Sequence, residues 1–377
     1  MSAARKFVPV RPPEKADEFI GVRIDPERHH GRGAGSNRSG RFEPQERQSF
    51  NDGWGALDFL PPFKTEVQEE KPRKIITTND SPDISFDRSI NPYRGCEHGC
   101  AYCFARPTHA YMGLSPGLDF ETKLFAKPTA AKLLASELAK PGYAVRTMAI
   151  GTNTDPYQPI ERRYRIMREV LEVLDATSHP VGIVTKSALV IRDLDILSRM
   201  AKRNLVKVAL SVTTLDRRLA RAMEPRAATP QRRLDTLRLL SEAGVPTTIM
   251  VAPVIPALNE SEIERLLDAG AAAGVKEAGY VLLRLPYEVK DVFTEFLNRE
   301  YPDRARHVLS VIKSMRGGKE YDATWGERMT GNGPYAWQIG RRFEIAARRL
   351  GLNMERRKLR TDLFTAPRVE TDQLSLF

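Results

Sequence analysis

All three cysteines of this 377-residue chain fall between Cys96 and Cys103, in the stretch CEHGCAYC. Three thiols cannot pair off completely, and in a reducing compartment clustered thiols act as metal ligands or nucleophiles rather than as crosslinks. The spacing, C-x3-C-x2-C, lets thiolates wrap around one small inorganic centre, and cysteine thiolates are the usual holders of iron–sulfur clusters. Zinc is the competing guest. A structural zinc takes four protein ligands, so His98 or His109 would have to complete the set, and the spacing is that of no common zinc finger. Three ligands on a four-iron cluster leave one iron open, and an open metal position binds a reactant.

Such a loop needs a rigid frame. Apolar, β-rich runs recur at 145–153 (VRTMAIGTN), 180–187 (PVGIVTKS), 206–214 (VKVALSVTT), 246–255 (PTTIMVAPVI) and 279–286 (GYVLLRLP), and a further strand is expected in DISFDRSINPY, just before the cysteines. Between them lie segments with apolar residues at i, i+3, i+4 and i+7, among them RIMREVLEVLDAT and TPQRRLDTLRLLSEAG. Gly244 and Gly274 stand just past the last apolar turn of two of these helices, where a C-terminal cap belongs. Repeated βα units build parallel sheets. The fold class is therefore α/β, and six such units suit a partial (β/α)6 barrel of the TIM type, whose sites lie on the loops after the C-terminal strand ends. Residues 1–80, mixing Pro, Gly and both charge signs, read as an irregular arm draped on the core. The barrel takes 81–300, and 301–377 form an extension with a basic helix and a flexible tail.

The formal charge is +11, and residues 341–360 alone supply net +6 of it. Localised positive charge fits a polyanionic partner such as nucleic acid, and Tyr321, Trp325, Tyr335 and Trp337 near this segment could stack bases. No apolar signal region opens the chain and no run approaches a membrane span, so a cytoplasmic protein without a membrane partner is expected.

CEHGCAYC, with an aromatic residue before its third cysteine, closely resembles the signature of the radical S-adenosylmethionine (radical SAM) superfamily. The wider text NPYRGCEHGCAYCFARPTHAYMG, with GTNTDPYQPIE and VTKS downstream, is similar to the spore photoproduct lyase-like, or DNA repair photolyase, branch. The resemblance implies a [4Fe-4S] cluster on Cys96, Cys100 and Cys103, with S-adenosylmethionine chelated at the open iron. Reductive cleavage would then give a 5′-deoxyadenosyl radical that abstracts a substrate hydrogen. Tyr102 would lie near the adenine. Thr152, Asn153, Thr154 and Asp155 would take the amino group of S-adenosylmethionine, where the superfamily usually carries a Gly-Gly-Glu sequence absent here. Lys186 would face its carboxylate, and Ser211 its carboxylate or ribose. Glu224 and Arg226 follow the fourth barrel strand and could face the cavity or pair on the surface. An electron donor such as flavodoxin or ferredoxin is implied. Two departures stand out: the lyases' additional hydrogen-donating cysteine is missing, with Asn153 about where it should be, and Phe104 replaces the tyrosine after their third cluster cysteine. Both argue against thymine-dimer repair by the lyases' radical relay.

The last five residues, QLSLF, match the pentapeptide by which bacterial polymerases and repair proteins dock on the sliding clamp, with Gln373 hydrogen bonding and Leu374, Leu376 and Phe377 filling apolar pockets. The expected function is hydrogen abstraction from an unidentified substrate, with nucleic acid leading. The rival is a non-catalytic nucleic-acid-binding protein with a structural iron–sulfur or zinc centre.

Overall fold

The computed structural model describes residues 31–43, 63–355 and 357–367. The clamp-like pentapeptide, with Gln373, Leu374, Leu376 and Phe377, lies outside the described residues.

Ten strands follow in chain order: β1 (Glu66–Glu69), β2 (Ile76–Thr78), β3 (Arg88–Ile90), β4 (Tyr93–Arg94), β5 (Lys123–Ala126), β6 (Met148–Ile150), β7 (Val181–Thr185), β8 (Val206–Ser211), β9 (Thr247–Val254) and β10 (Glu277–Leu282). Six of them, β3 and β6 to β10, are the strands anticipated from the sequence. They lie side by side in the order β10-β9-β8-β7-β6-β3, all parallel, and β2 adds an antiparallel edge beyond β3. The two ends of this sheet do not pair with each other among the described residues, so the barrel is open. A separate three-stranded sheet, β1-β5-β4, braces the cysteine loop from outside. β1 and β2 fall in the stretch read as irregular, because short strands of polar residues carry no alternation to betray them.

Period-two alternation explains how the sheet divides its two faces. Ile249 and Val251 of β9 are buried against the outer helices, whereas Met250 and Ala252 point into the barrel. The helix Ile166–Ala176 buries Ile166, Met167, Val170, Leu171 and Leu174, one stripe at helical spacing. Each large apolar side chain so covered contributes roughly 1.5–3 kcal/mol. The helix Pro230–Glu242 starts with Thr229 accepting from the Arg232 amide and Pro230 in its first turn. Gly244 and Gly274 adopt φ +78° and +84° just past their helices, as capping requires.

The basic helix spans Gly333–Arg349 and buries Ala336, Ile339, Phe343, Ala346 and Ala347. Two of its cations are spent on the barrel: Arg342 grips Glu264 through two hydrogen bonds of 2.8 and 2.7 Å, and Arg349 reaches Asp268 at 2.7 Å. No described helix is long and apolar enough to cross a membrane.

Candidate active site at the open end of the barrel

The cysteines occupy the loop after β3 and β4. Gly99, between the first two, adopts φ +67°, and a Cβ there would come within 2.7 Å of the Glu121 carboxylate, so the turn that brings Cys96 and Cys100 together depends on glycine. The loop is tied down by a buried arginine. Arg106 donates to the Cys100 carbonyl from Nε (3.0 Å) and Nη2 (2.9 Å), to the carbonyls of Pro116 and Gly117 from Nη1, and to Glu121 at 2.5 Å. Glu121 in turn accepts the amides of Gly33 (2.9 Å) and Ala34 (2.8 Å), which belong to a strap formed by residues 31–43. The arm anticipated from the sequence is thus, in this part, a fixed strap. Its backbone lies so close that a Cβ on Gly33 would meet the Gly99 carbonyl oxygen at 1.6 Å.

A cavity of about 270 Å³ opens at the C-terminal strand ends. Cys96, Cys100, Cys103, Tyr102, Thr152, Asn153, Asp155, Lys186 and Ser211 all line it. Thr154 does not: it is buried, and its hydroxyl donates to the Tyr93 carbonyl at 2.8 Å, pinning the β6 loop. Asp155 lines the cavity with its oxygens already engaged. It accepts from the Tyr157 amide (2.9 Å), the Thr185 hydroxyl (2.7 Å) and the Lys186 amide (2.8 Å), and sits 3.4 Å from His98 Nδ1. Burial alone would raise this carboxyl, but the His98 ring and the donated hydrogen bonds hold it at about 2. It therefore ties the ends of β6 and β7 together, and an incoming ammonium would find Thr152 and Asn153 less committed.

Beneath Tyr102 lies a second buried ion pair. Glu224 accepts hydrogen bonds from Tyr102, from the Thr213 hydroxyl (2.7 Å) and from Arg233, whose other donors reach the carbonyls of Ser211 (3.0 Å) and Ala228 (2.7 Å). Burial opposes the charge on Glu224, but Arg233 and Lys186 outweigh it and keep the carboxylate ionised. Arg226, whose place the sequence left open, donates to Glu97 at 3.0 Å and to the Gly31 carbonyl at 3.2 Å, so it clamps the strap rather than facing the cavity. His109 stays under the loop, its Nε2 on the Lys123 carbonyl at 2.9 Å.

Lys186 has its Nζ 5.8 Å from the centre of the Tyr102 ring. Burial works against its charge, yet the neighbouring Cys100, Glu224 and Asp155 raise its pKa, so it remains an ammonium. Burial pushes the Cys96 thiol well up and carries Cys100 to about 12, with Lys186 pulling Cys100 back. Thiols so buried ionise only when a cationic centre accepts them. None is in a disulfide, and among the described residues no trio of His, Cys, Asp or Glu is placed to grip a single metal ion. Three cysteines lining one cavity form a donor set that fits a cluster whose corners each take one thiolate.

Sequence reasoning missed several residues that build or support this cavity: the pair Arg106–Glu121, then Arg233, Met250, Arg284 and Met329; Glu224, left open between cavity and surface, instead pairs with Arg233 in the interior. Arg284 alone gave a readable signal, as the one charge in the run GYVLLRLP at the end of the last strand.

Residues 90–270, just under half of the chain, match the model of the Radical SAM superfamily, and the open parallel barrel with a three-cysteine loop after its first strand agrees with that likeness. An uncharacterised protein of Mycobacterium tuberculosis is 40% identical over 222 residues, which is 58% of this chain and 65% of that protein, so the match spans just under two thirds of the relative's length. The Radical SAM Nalpha-GlyT isomerase of Pseudomonas phage M6 is 24% identical over 234 residues, 61% of this chain and 46% of the phage protein. Among solved structures, a spore photoproduct lyase variant with bound AdoMet and dinucleoside spore photoproduct superposes with a TM-score of 0.56 at 17% identity, covering 76% of this chain and 80% of that one, a likeness of fold.

Proposed function

We propose that this chain is a radical SAM enzyme that holds a [4Fe-4S] cluster on Cys96, Cys100 and Cys103, binds S-adenosylmethionine beside it and acts on nucleic acid. The observation that carries this reading is the convergence of three free thiols, the Lys186 ammonium and the ends of five of the six parallel strands on one cavity. Bound there, the two cofactors would supply a 5′-deoxyadenosyl radical for hydrogen abstraction.

The chain's own part is to bind, orient and exclude water. Lys186 offers a charge to the carboxylate of S-adenosylmethionine, Ser211 a hydroxyl and Tyr102 a ring face, while Thr152 and Asn153 border the place for its amino group. Asp155 and Glu224 act through others: the first fixes the Lys186 backbone, the second orients Tyr102 and balances Lys186. Met250, Val281, Leu282 and Leu283 give the far wall an apolar surface that keeps water from a reactive radical. Nucleic acid as substrate is favoured by the net charge of +11 and by the dinucleoside ligand of the structural neighbour.

The test is anaerobic reconstitution, with iron and sulfide counted, followed by reduction with dithionite in the presence of S-adenosylmethionine. The expected result is about four irons per chain and release of 5′-deoxyadenosine, both lost in Cys100→Ala. A protein that binds only zinc, or whose product forms equally in the variant, would overturn the reading.

A further inference from the structure

Arg284 is a cation inside the cavity that nothing so far explains. It stands two residues beyond β10, and its guanidinium lies 4.9 Å from the centre of the Phe104 ring. Its contacts are weak: Nη1 points at the Met329 sulfur at 3.7 Å and Nη2 at the Tyr321 hydroxyl at 3.4 Å, while Nε is buried without a partner. No carboxylate pairs with it among the described residues. The other arginines of the interior differ. Arg106 and Arg233 each hold a carboxylate and two or more carbonyls, and Arg316 donates to the carbonyls of Glu327 (2.8 Å) and Leu283 (3.0 Å).

Arg316 and Arg284 are also close enough for the charge of Arg284, after burial, to lower the pKa of Arg316. The acids near them are turned elsewhere: Asp322 accepts from Thr324, and Glu327 accepts from Asn332. Asp322 and Glu327 act back on Arg316 and raise its pKa, but no ion pair reaches Arg284 among the described residues, so this wall carries a guanidinium without a carboxylate partner. The remaining cavity cation, Lys186, stands on the β7 side, where it acts on Cys100. The cavity thus has two cationic places on separate walls, one beside the cysteines and one beneath the loop of Tyr321 and Met329.

Resting on the function proposed above, we infer that Arg284 is the substrate's phosphate contact, taking one phosphodiester of a nucleic-acid strand while Phe104 stacks the adjoining base. A planar guanidinium presents paired donors that match phosphate oxygens. The Phe104 ring beside it, 43% exposed, has a free surface on which a base can stack. Among the described residues its charge meets no carboxylate, and the contacts of Arg284 are the Phe104 ring face, the Tyr321 hydroxyl and the Met329 sulfur.

The variants are Arg284→Gln, close in shape without the charge, and Arg284→Lys, which keeps the charge and loses the fork. The probe is a fluorescein-labelled single-stranded DNA 12-mer, read by anisotropy across a salt series with the reconstituted protein. A second measurement is the binding of radiolabelled S-adenosylmethionine. Arg284→Gln should weaken the oligonucleotide about tenfold or more and reduce the slope of log affinity against log salt by about 0.7, one single-strand phosphate. Arg284→Lys should keep most of the slope, and both variants should bind S-adenosylmethionine as the parent does. If the oligonucleotide is held with unchanged affinity and slope, the assignment is overturned. A loss confined to S-adenosylmethionine overturns it too, by making Arg284 a contact for the carboxylate of that cofactor. A parent protein that cleaves S-adenosylmethionine and ignores the oligonucleotide sinks the nucleic-acid reading itself, and the phosphate assignment with it. Equal thermal unfolding of parent and variants guards against a folding effect.

Discussion

Arginine does two different jobs at two places in this protein. Beneath the cysteine loop, Arg106 has no exposed surface and spends its donors on three carbonyls and one carboxylate. On the last helix, Arg342 and Arg349 reach carboxylates of the neighbouring helix with their side chains 32% and 59% exposed. The pairs look alike on paper, but water screens the second set and leaves the first alone. The buried pair therefore fixes geometry that cannot be had otherwise, while the exposed pairs only favour a docking that apolar burial already secures.

The sharpest way to break that comparison is Arg106→Met. It strands the Glu121 carboxylate and the Cys100 carbonyl in the interior, and the expected loss is about 3–5 kcal/mol of unfolding free energy in urea. A loss under about 1 kcal/mol would mean the loop does not depend on the pair.

Acid tests the same interior from another side. The buried His109 and His179 have pKa values lowered by burial to about 4, against about 6.5 in an unfolded chain. The unfolded chain therefore binds more protons between these values. The stability is fully present above pH 6.5 and lost as pH falls towards 4, by roughly 3 kcal/mol per histidine at the limit. His109 donates from Nε2 to a carbonyl, and its Nδ1 is buried without a partner, so a second proton there has nowhere to point. His109→Phe should flatten the pH profile of unfolding between 6.5 and 4 by about half; an unchanged profile would remove this histidine from the account.

The smallest effects belong to the last helix. Arg342→Ser and Arg349→Ser should each cost below about 1 kcal/mol and grow smaller still in high salt. A cost matching that of Arg106→Met would erase the distinction between the two places.

The barrel was legible in the sequence because its strands are apolar and its helices amphipathic, and both periodicities survive as written. The meeting of the three cysteines at one cavity was legible because thiols are scarce and their spacing is chemical. Lys186 and Ser211 could be placed by their position at strand ends. What stayed hidden was long-range: Glu121 answers Arg106 and the strap at Gly33, and Glu224 answers Tyr102, through contacts that no local pattern records. Thr154 shows the opposite error, while Asp155 does line the cavity with its oxygens already shared among its neighbours. A hydroxyl at a strand end looks like a ligand group, yet the Tyr93 carbonyl had first claim on that of Thr154.

The strap has one more consequence. Arg32, Gly33 and Ala34 contact Glu121 from 89, 88 and 87 positions away in the chain, well ahead of the stretch 90–270 that similarity marks out. The border drawn by resemblance and the border drawn by physical dependence are therefore different lines. A fragment cut at the first would keep every thiol and the Arg106–Glu121 pair but lose the backbone amides that complete the hydrogen bonding of that buried acid.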